Sequence, residues 1–222
     1  MGTQKGILFE HVTRRYGPVL GLNDVSLEVG AGITGLIGPN GAGKTTFLNL
    51  AVGLHSPSSG RVTLLGKNPF RTPEVRGRIG YCPDGERAWD WMTGREFVVT
   101  LGRWCGLSRD EATSRAKGLL AGLEMGQAAD KPIASYSRGM RQKVKVAQAM
   151  VHRPDLLVLD EPLNGVDPLS RHHILQLLMQ EAKRGTSVLI SSHVLHELDG
   201  FVDEVILFQR GRLLASGTIH SI

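Results

Sequence analysis

The sequence predicts an α/β protein: a mostly parallel sheet, an N-terminal antiparallel β subdomain and a helical subdomain inserted midway. Three observations point there. Short β-branched runs crowd the N-terminal part, at residues 7–12, 25–29 and 33–37, separated by Gly, Pro and Asn turns. A middle block, residues 94–150, repeats Leu119, Leu120 and Leu123, and then Val144, Ala147 and Met150, at near-helical spacing. Beyond it, strand-like and helix-like segments alternate, the pattern of a parallel sheet covered on both faces.

In chain order, the first two runs read as antiparallel edge strands, and residues 33–37 are apolar enough for a buried strand. A glycine loop follows, then a helix over residues 44–52. After the helical block, residues 156–159 read as a short apolar strand, 169–183 as a helix and 187–190 as a strand. Residues 205–208 and 213–215 read as late strands. This places a core at about 1–85 and 151–222, and a helical subdomain at about 86–150.

Composition bounds the function. The chain has 222 residues, 41% hydrophobic and 21% charged, enough to bury about 70–75% of its unfolded surface and to stay ordered. Lys and Arg give a net charge of +5 but form no block, which suits a solvated surface with a few phosphate-binding cations rather than a nucleic-acid track. The two cysteines, Cys82 and Cys105, form no Cys-x-x-Cys pair, so zinc and redox motifs are not indicated and reduced thiols in the cytosol are expected. No run reaches the roughly 18 apolar residues of a membrane span. Residues 1–6, Met-Gly-Thr-Gln-Lys-Gly, carry no apolar core of a signal peptide.

Gly38-Pro39-Asn40-Gly41-Ala42-Gly43-Lys44-Thr45-Thr46 fits Gly-x-x-x-x-Gly-Lys-Ser/Thr, with a strand before it and a helix after it. Such glycines let consecutive N–H groups converge on phosphate oxygens, and the helix N-terminus adds partial positive charge. Lys44 is expected to reach the β- and γ-phosphates, and the Thr45 hydroxyl to ligate Mg²⁺.

Leu156-Leu157-Val158-Leu159-Asp160-Glu161-Pro162 is an apolar strand that ends in two acids. Burying an unpaired carboxylate costs several kcal/mol, so these acids belong at the open carboxyl end of the sheet, where parallel sheets bind ligands. Asp160 is expected near Mg²⁺. Glu161 is expected to polarise the water that attacks the γ-phosphate.

At this point the chain resembles the nucleotide-binding subunits of ABC transporters, over nearly its whole length. The resemblance implies a phosphate-loop NTPase core that binds ATP and Mg²⁺ and hydrolyses ATP. It implies further roles by position. Tyr16, in Arg14-Arg15-Tyr16-Gly17, stands where the family stacks an aromatic on adenine. Ser137-Arg138-Gly139-Met140-Arg141-Gln142 is similar to the family signature, in which Ser137 and Gly139 would read the γ-phosphate held by a partner domain. Asn164-Gly165-Val166-Asp167 resembles the loop that crosses the dimer interface. His193, in Ser191-Ser192-His193, stands at the γ-phosphate-sensing histidine; the other seven histidines read as surface or core residues.

Three departures from the family pattern stand out. Asp84 replaces the usual glutamine after residues 79–83, which in the family can ligate Mg²⁺ and report to the membrane partner; the shorter, charged aspartate either binds the metal more tightly or keeps its distance from phosphate charge. Tyr136-Ser137-Arg138 replaces Leu-Ser-Gly. Gly165 and Val166 stand where Ala and Leu are common, a change expected to be tolerated. The Tyr-Ser-x-Gly-Met-x-Gln variant is similar to the subfamily that serves separate export-type permeases.

The resemblance therefore implies a cytoplasmic subunit, peripheral on the membrane, that pairs with a second nucleotide-binding domain around ATP and drives a separate transmembrane permease, with export as the direction. Trp89-Asp90-Trp91-Met92 is either a permease contact or a packing cluster. Two rivals remain open. One is a soluble ATPase of the same type acting on DNA or ribosomes, whose relatives carry arms, zinc modules or a second cassette. The other is a silent cassette, against which Glu161 and His193 both weigh.

Overall fold

The structure is a computed structural model and describes residues 6–85 and 88–219. The N-terminal leader argument on residues 1–5, the subdomain boundary near residue 86 and the terminal Ser221-Ile222 lie outside the described residues.

Strands β1 (Ile7–Tyr16) and β2 (Val19–Val29) form an antiparallel hairpin, running from Ile7 opposite Val29 to Tyr16 opposite Val19. Strand β3 (Ile33–Ile37) is wholly buried and leads through the glycine loop into helix α1 (Lys44–Ala51). Strand β4 (Ser59–Leu64) then returns to pair with β1, antiparallel, on the side away from β2. This corrects the sequence reading. The first strand is the centre of a three-stranded sheet, not an edge. Ser59–Leu64 escaped notice because its polar first half hides a short pattern: only Val62 and Leu64 are buried.

After the short helix α2 (Pro73–Arg76) and strand β5 (Ile79–Cys82), the chain turns helical: α3 (Gly94–Trp104), α4 (Arg109–Gly122) and α5 (Arg138–Met150). Strand β6 (Leu156–Leu159), helix α6 (Pro168–Lys183) and strand β7 (Ser187–Ser192) follow, then β8 (Glu204–Gln209) and β9 (Arg212–Gly217). The main sheet runs β5-β6-β7-β3-β8-β9, parallel except for β9.

Alternation within β6 divides the interior. Leu156 and Val158 join the side built on β1, α1 and Phe208, where the Phe9 and Phe47 rings stack with centroids 4.2 Å apart. Leu157 and Leu159 join the side under α3 to α6. Both faces of the strand are covered, as an apolar run ending in acids requires.

The helix starts are written in the sequence. Thr93 with Glu96, and Ser108 with Glu111, close reciprocal capping boxes on α3 and α4. Ser137 caps α5 by accepting from the Met140 N–H, and Asp167 caps α6 by accepting from Ser170, with Pro168 next. Each cap contributes about 1 kcal/mol. No helix among the described residues is long and apolar enough to cross a membrane.

Candidate functional site

The carboxyl ends of β3, β6 and β7 lie side by side at one end of the main sheet's interior strands, where β3 lies between β7 and β8 and β7 pairs with β6. Tyr16, Gly21, Asn40 to Thr46, Asp84 and Glu161 line a cleft of about 280 Å³ there. Gly43 has φ +105°, a backbone that side chains avoid, and a Cβ there would lie 2.7 Å from the Gly21 carbonyl oxygen. The loop can therefore curl only with glycine at this position.

Lys44 is buried at the centre. Its Nζ donates to the carbonyl oxygens of Gly38 (2.6 Å) and Pro39 (3.4 Å), and lies 3.1 Å from Glu161 Oε1. The other Glu161 oxygen, Oε2, lies 2.9 Å from His193 Nδ1. Glu161 thus sits between the loop lysine and the histidine, although these residues come from three separate segments. Its φ is +48°, a costly conformation for a non-glycine residue, so the strand leaves its regular path at this acid.

Asp160 is fully buried. Burial pushes its carboxyl pKa up, while hydroxyl hydrogen bonds from Ser191 and Thr45 pull it back down. The Thr45 Oγ1 donates to Asp160 Oδ2 at 2.8 Å, and the Ser191 Oγ to Oδ1 at 2.7 Å. Asp84, exposed in the same cleft, and Glu161 both add negative charge at Asp160. Among the described residues no group of three or more His, Cys, Asp or Glu is placed to hold a metal by itself. A hydroxyl, a buried carboxylate and a nearby second carboxylate nevertheless fit Mg²⁺, which takes few protein oxygens and completes its shell with water and phosphate.

Tyr16 stands at the mouth of the cleft, with the Arg14 guanidinium 4.6 Å from its ring centroid and the His55 ring edge-on at 5.9 Å. Thr46 lines the wall beneath it. Ser137 and Gly139 do not line this cleft within the chain. They stand at the start of α5, where Gly139 faces Asp167, whose Oδ2 would be 3.8 Å from a Cβ on that glycine.

Two departures from the family pattern meet in space. The Arg138 side chain lies over Gly165, where an added Cβ would come within 2.6 Å of its Nε, and Gly165 has φ +70°. Gly165→Ala is expected to lower stability by about 1–2 kcal/mol, mostly from the backbone, read as a lower melting temperature; an unchanged melting curve would contradict that strain. Tyr136, in the same departing segment as Arg138, is anchored: its hydroxyl donates to the Ala128 carbonyl at 2.5 Å and accepts from the Gly94 N–H at 3.2 Å.

Residues that sequence reasoning did not single out also shape the site. Ser191 touches both acids. Lys145, buried on α5, donates to the Pro83 carbonyl at 2.6 Å and to that of Gly85, gripping the loop that carries Asp84. A lysine beside the apolar positions Val144 and Ala147 was the available signal. In the tryptophan segment, Trp89 packs edge-on against Phe97 and Trp104 and stacks on Trp91, while Trp91 and Trp104 are mostly exposed.

With this geometry in place, comparison with known proteins is specific. The sequence pattern of the ABC transporter family matches residues 22–164. The Nod factor export ATP-binding protein I of Burkholderia lata is 37% identical over 216 residues, covering 96% of this chain and 71% of that protein. The ABC transporter ATP-binding protein NatA of Bacillus subtilis is 35% identical, covering 92% of this chain and 84% of that one. Some relatives are longer: the chain spans 62% of YxlF, an uncharacterised ABC transporter ATP-binding protein of Bacillus subtilis that is 39% identical over 84% of this chain. A solved ATP-binding subunit of an ABC transporter superposes with a TM-score of 0.89 at 29% identity, over 98% of this chain and 91% of that one. A bacterial ABC transporter cassette solved as a dimer shares the fold, with a TM-score of 0.89 at 24% identity over 96% and 98% of the two chains. The α/β fold and the family expected from the motifs are both borne out. The chain belongs to the ABC transporter family, as one of its ATP-binding and ATP-hydrolysing cassettes.

Proposed function

We propose that two copies of this cassette, or one copy and a similar chain, close around ATP and drive a separate transmembrane permease in the direction of export. The observation that carries this reading is the chain of contacts Lys44–Glu161–His193 beside Thr45–Asp160 in one cleft. It puts a phosphate-binding cation, a candidate base and a candidate metal site within one hydrogen-bonded group.

In this reading the loop from Gly38 to Thr46 cradles the triphosphate, and Tyr16 offers the ring face turned from Arg14 to the base. Lys44 exchanges the Gly38 carbonyl and Glu161 for phosphate oxygens. Thr45, Asp160 and Asp84 would hold Mg²⁺, which neutralises phosphate charge. Glu161, freed from Lys44, accepts a proton from the attacking water, and His193 orients Glu161 through Nδ1. Ser137 and Gly139 of the partner copy complete the γ-phosphate site, with the α5 N-terminus adding partial positive charge. The dimeric relative of the same fold supports such a pairing.

Residues of about 86–150 act here as a helical subdomain on the core of about 1–85 and 151–222, carrying Ser137 as a unit. The exposed Trp91 and Trp104 suit a membrane partner's surface. The Nod factor export relative supports the direction. The protein would then sit on the cytoplasmic face of the membrane.

Affinity purification from native membranes is expected to recover a chain with several membrane spans, and duplex DNA at physiological salt is expected not to stimulate ATP hydrolysis. Clear DNA stimulation with no membrane partner would favour the soluble rival.

A further inference from the structure

We propose that Ser191 is a positioning residue for hydrolysis, holding the Glu161 backbone and the Asp160 carboxylate in fixed relation. The inference rests on the ATPase reading above. Ser191 lies near the end of β7 and is 1% exposed. Its Oγ accepts from the Glu161 N–H at 2.8 Å and donates to Asp160 Oδ1 at 2.7 Å.

The directions of these two bonds follow from the groups themselves. A backbone N–H only donates, so the hydroxyl oxygen must accept there. A serine hydroxyl has one proton, and that proton is left for Asp160. One hydroxyl therefore ties the second acid by its backbone and the first by its side chain.

This matters because Glu161 leaves the ladder. Strand β6 pairs with β7 as far as Leu159 opposite Ile190, and the Asp160 N–H goes to the Cys82 carbonyl on the other neighbour at 2.8 Å. At φ +48° the Glu161 N–H has turned to Ser191 Oγ. His193, two residues further on, then meets the Glu161 carboxylate. The end of β7 thus grips Glu161 at backbone and side chain. Without the hydroxyl, a buried N–H loses its acceptor and the left-handed backbone loses a restraint. Small misplacements of a reacting group cost orders of magnitude in rate. The Ser191 hydroxyl bonds the two acids and not the phosphate loop, Lys44 or Tyr16 directly, so its loss should fall mainly on turnover rather than on nucleotide affinity.

The test compares Ser191→Ala, Ser191→Cys and Ser191→Thr in the full chain. Steady-state ATP hydrolysis gives kcat and KM, calorimetry gives ATP affinity, and circular dichroism follows folding. Ala removes the hydroxyl, Cys keeps the volume with a weak donor and acceptor, and Thr keeps the hydroxyl. We expect kcat to fall about 10- to 100-fold in the Ala and Cys variants, with KM and ATP affinity within about two-fold, and Thr to recover most of the turnover. If Ala fails to fold, the Cys and Thr pair decides alone. Ala and Cys variants with turnover within two-fold of the unmodified chain would overturn the role of Ser191 while leaving the ATPase reading intact. So would a loss seen in KM rather than kcat, or a Thr variant as slow as Cys. An unmodified chain that fails to hydrolyse ATP would instead remove the functional reading and this inference with it.

Discussion

Replacing Glu161 by glutamine is expected to reduce ATP turnover by about 10²–10⁴-fold, the usual contribution of a positioned base, while nucleotide binding is kept or strengthened. Both halves follow from the geometry. The carboxylate is the acid set between Lys44 (3.1 Å) and His193 (2.9 Å), so the amide keeps the shape but turns one of the two acceptor oxygens into a donor and loses the basicity. It also loses the charge that attracts Lys44 in the nucleotide-free protein, leaving the lysine freer to turn to phosphate. Turnover measured by phosphate release, paired with ATP affinity by calorimetry, checks both. Hydrolysis at the unmodified rate would take Glu161 out of its assigned role.

Lys44→Ala is expected to weaken ATP binding by about 10- to 100-fold, the effect of losing a charge-assisted hydrogen bond of about 1.5–3 kcal/mol. A second consequence separates this from a simple loss of positive charge. Lys44 and Glu161 are 6% and 10% exposed, so the variant leaves a sequestered carboxylate with His193 as its remaining partner at that end. Its melting temperature should fall, and the added change Glu161→Gln should restore part of it, a coupling readable in a double-mutant cycle. Unchanged ATP affinity would contradict the phosphate-loop assignment.

Much of this architecture was legible in the sequence because it is written locally. The loop from Gly38 to Thr46 carries its own spacing, and Leu156 to Leu159 reads as a strand buried on both faces because no polar residue interrupts it. The caps at Thr93, Ser108, Ser137 and Asp167 are equally local, although the sequence reading did not single them out as caps. What escaped is tertiary. Ser59–Leu64 gains its meaning only against β1. Ser191 looks like an ordinary strand serine until β6 delivers Glu161 beside it, 30 residues away in sequence. Arg138 and Gly165 were each visible as departures from the family pattern. That they face each other depends on α5 packing beside the turn that opens α6, which no local pattern encodes.

In the proposed assembly ATP joins two copies, held by the glycine loop of one and covered by the Ser137 helix of the other. Light scattering on the Glu161→Gln chain with Mg²⁺ and ATP tests it most directly when set beside the same chain carrying Ser137→Asp. Aspartate keeps a good helix cap and places a negative charge against the γ-phosphate. The account predicts a doubled mass with ATP but not ADP for Glu161→Gln, and a single-chain mass with either nucleotide once Ser137→Asp is added. A single-chain mass for both proteins at saturating ATP, or a doubled mass undisturbed by Ser137→Asp, would contradict it.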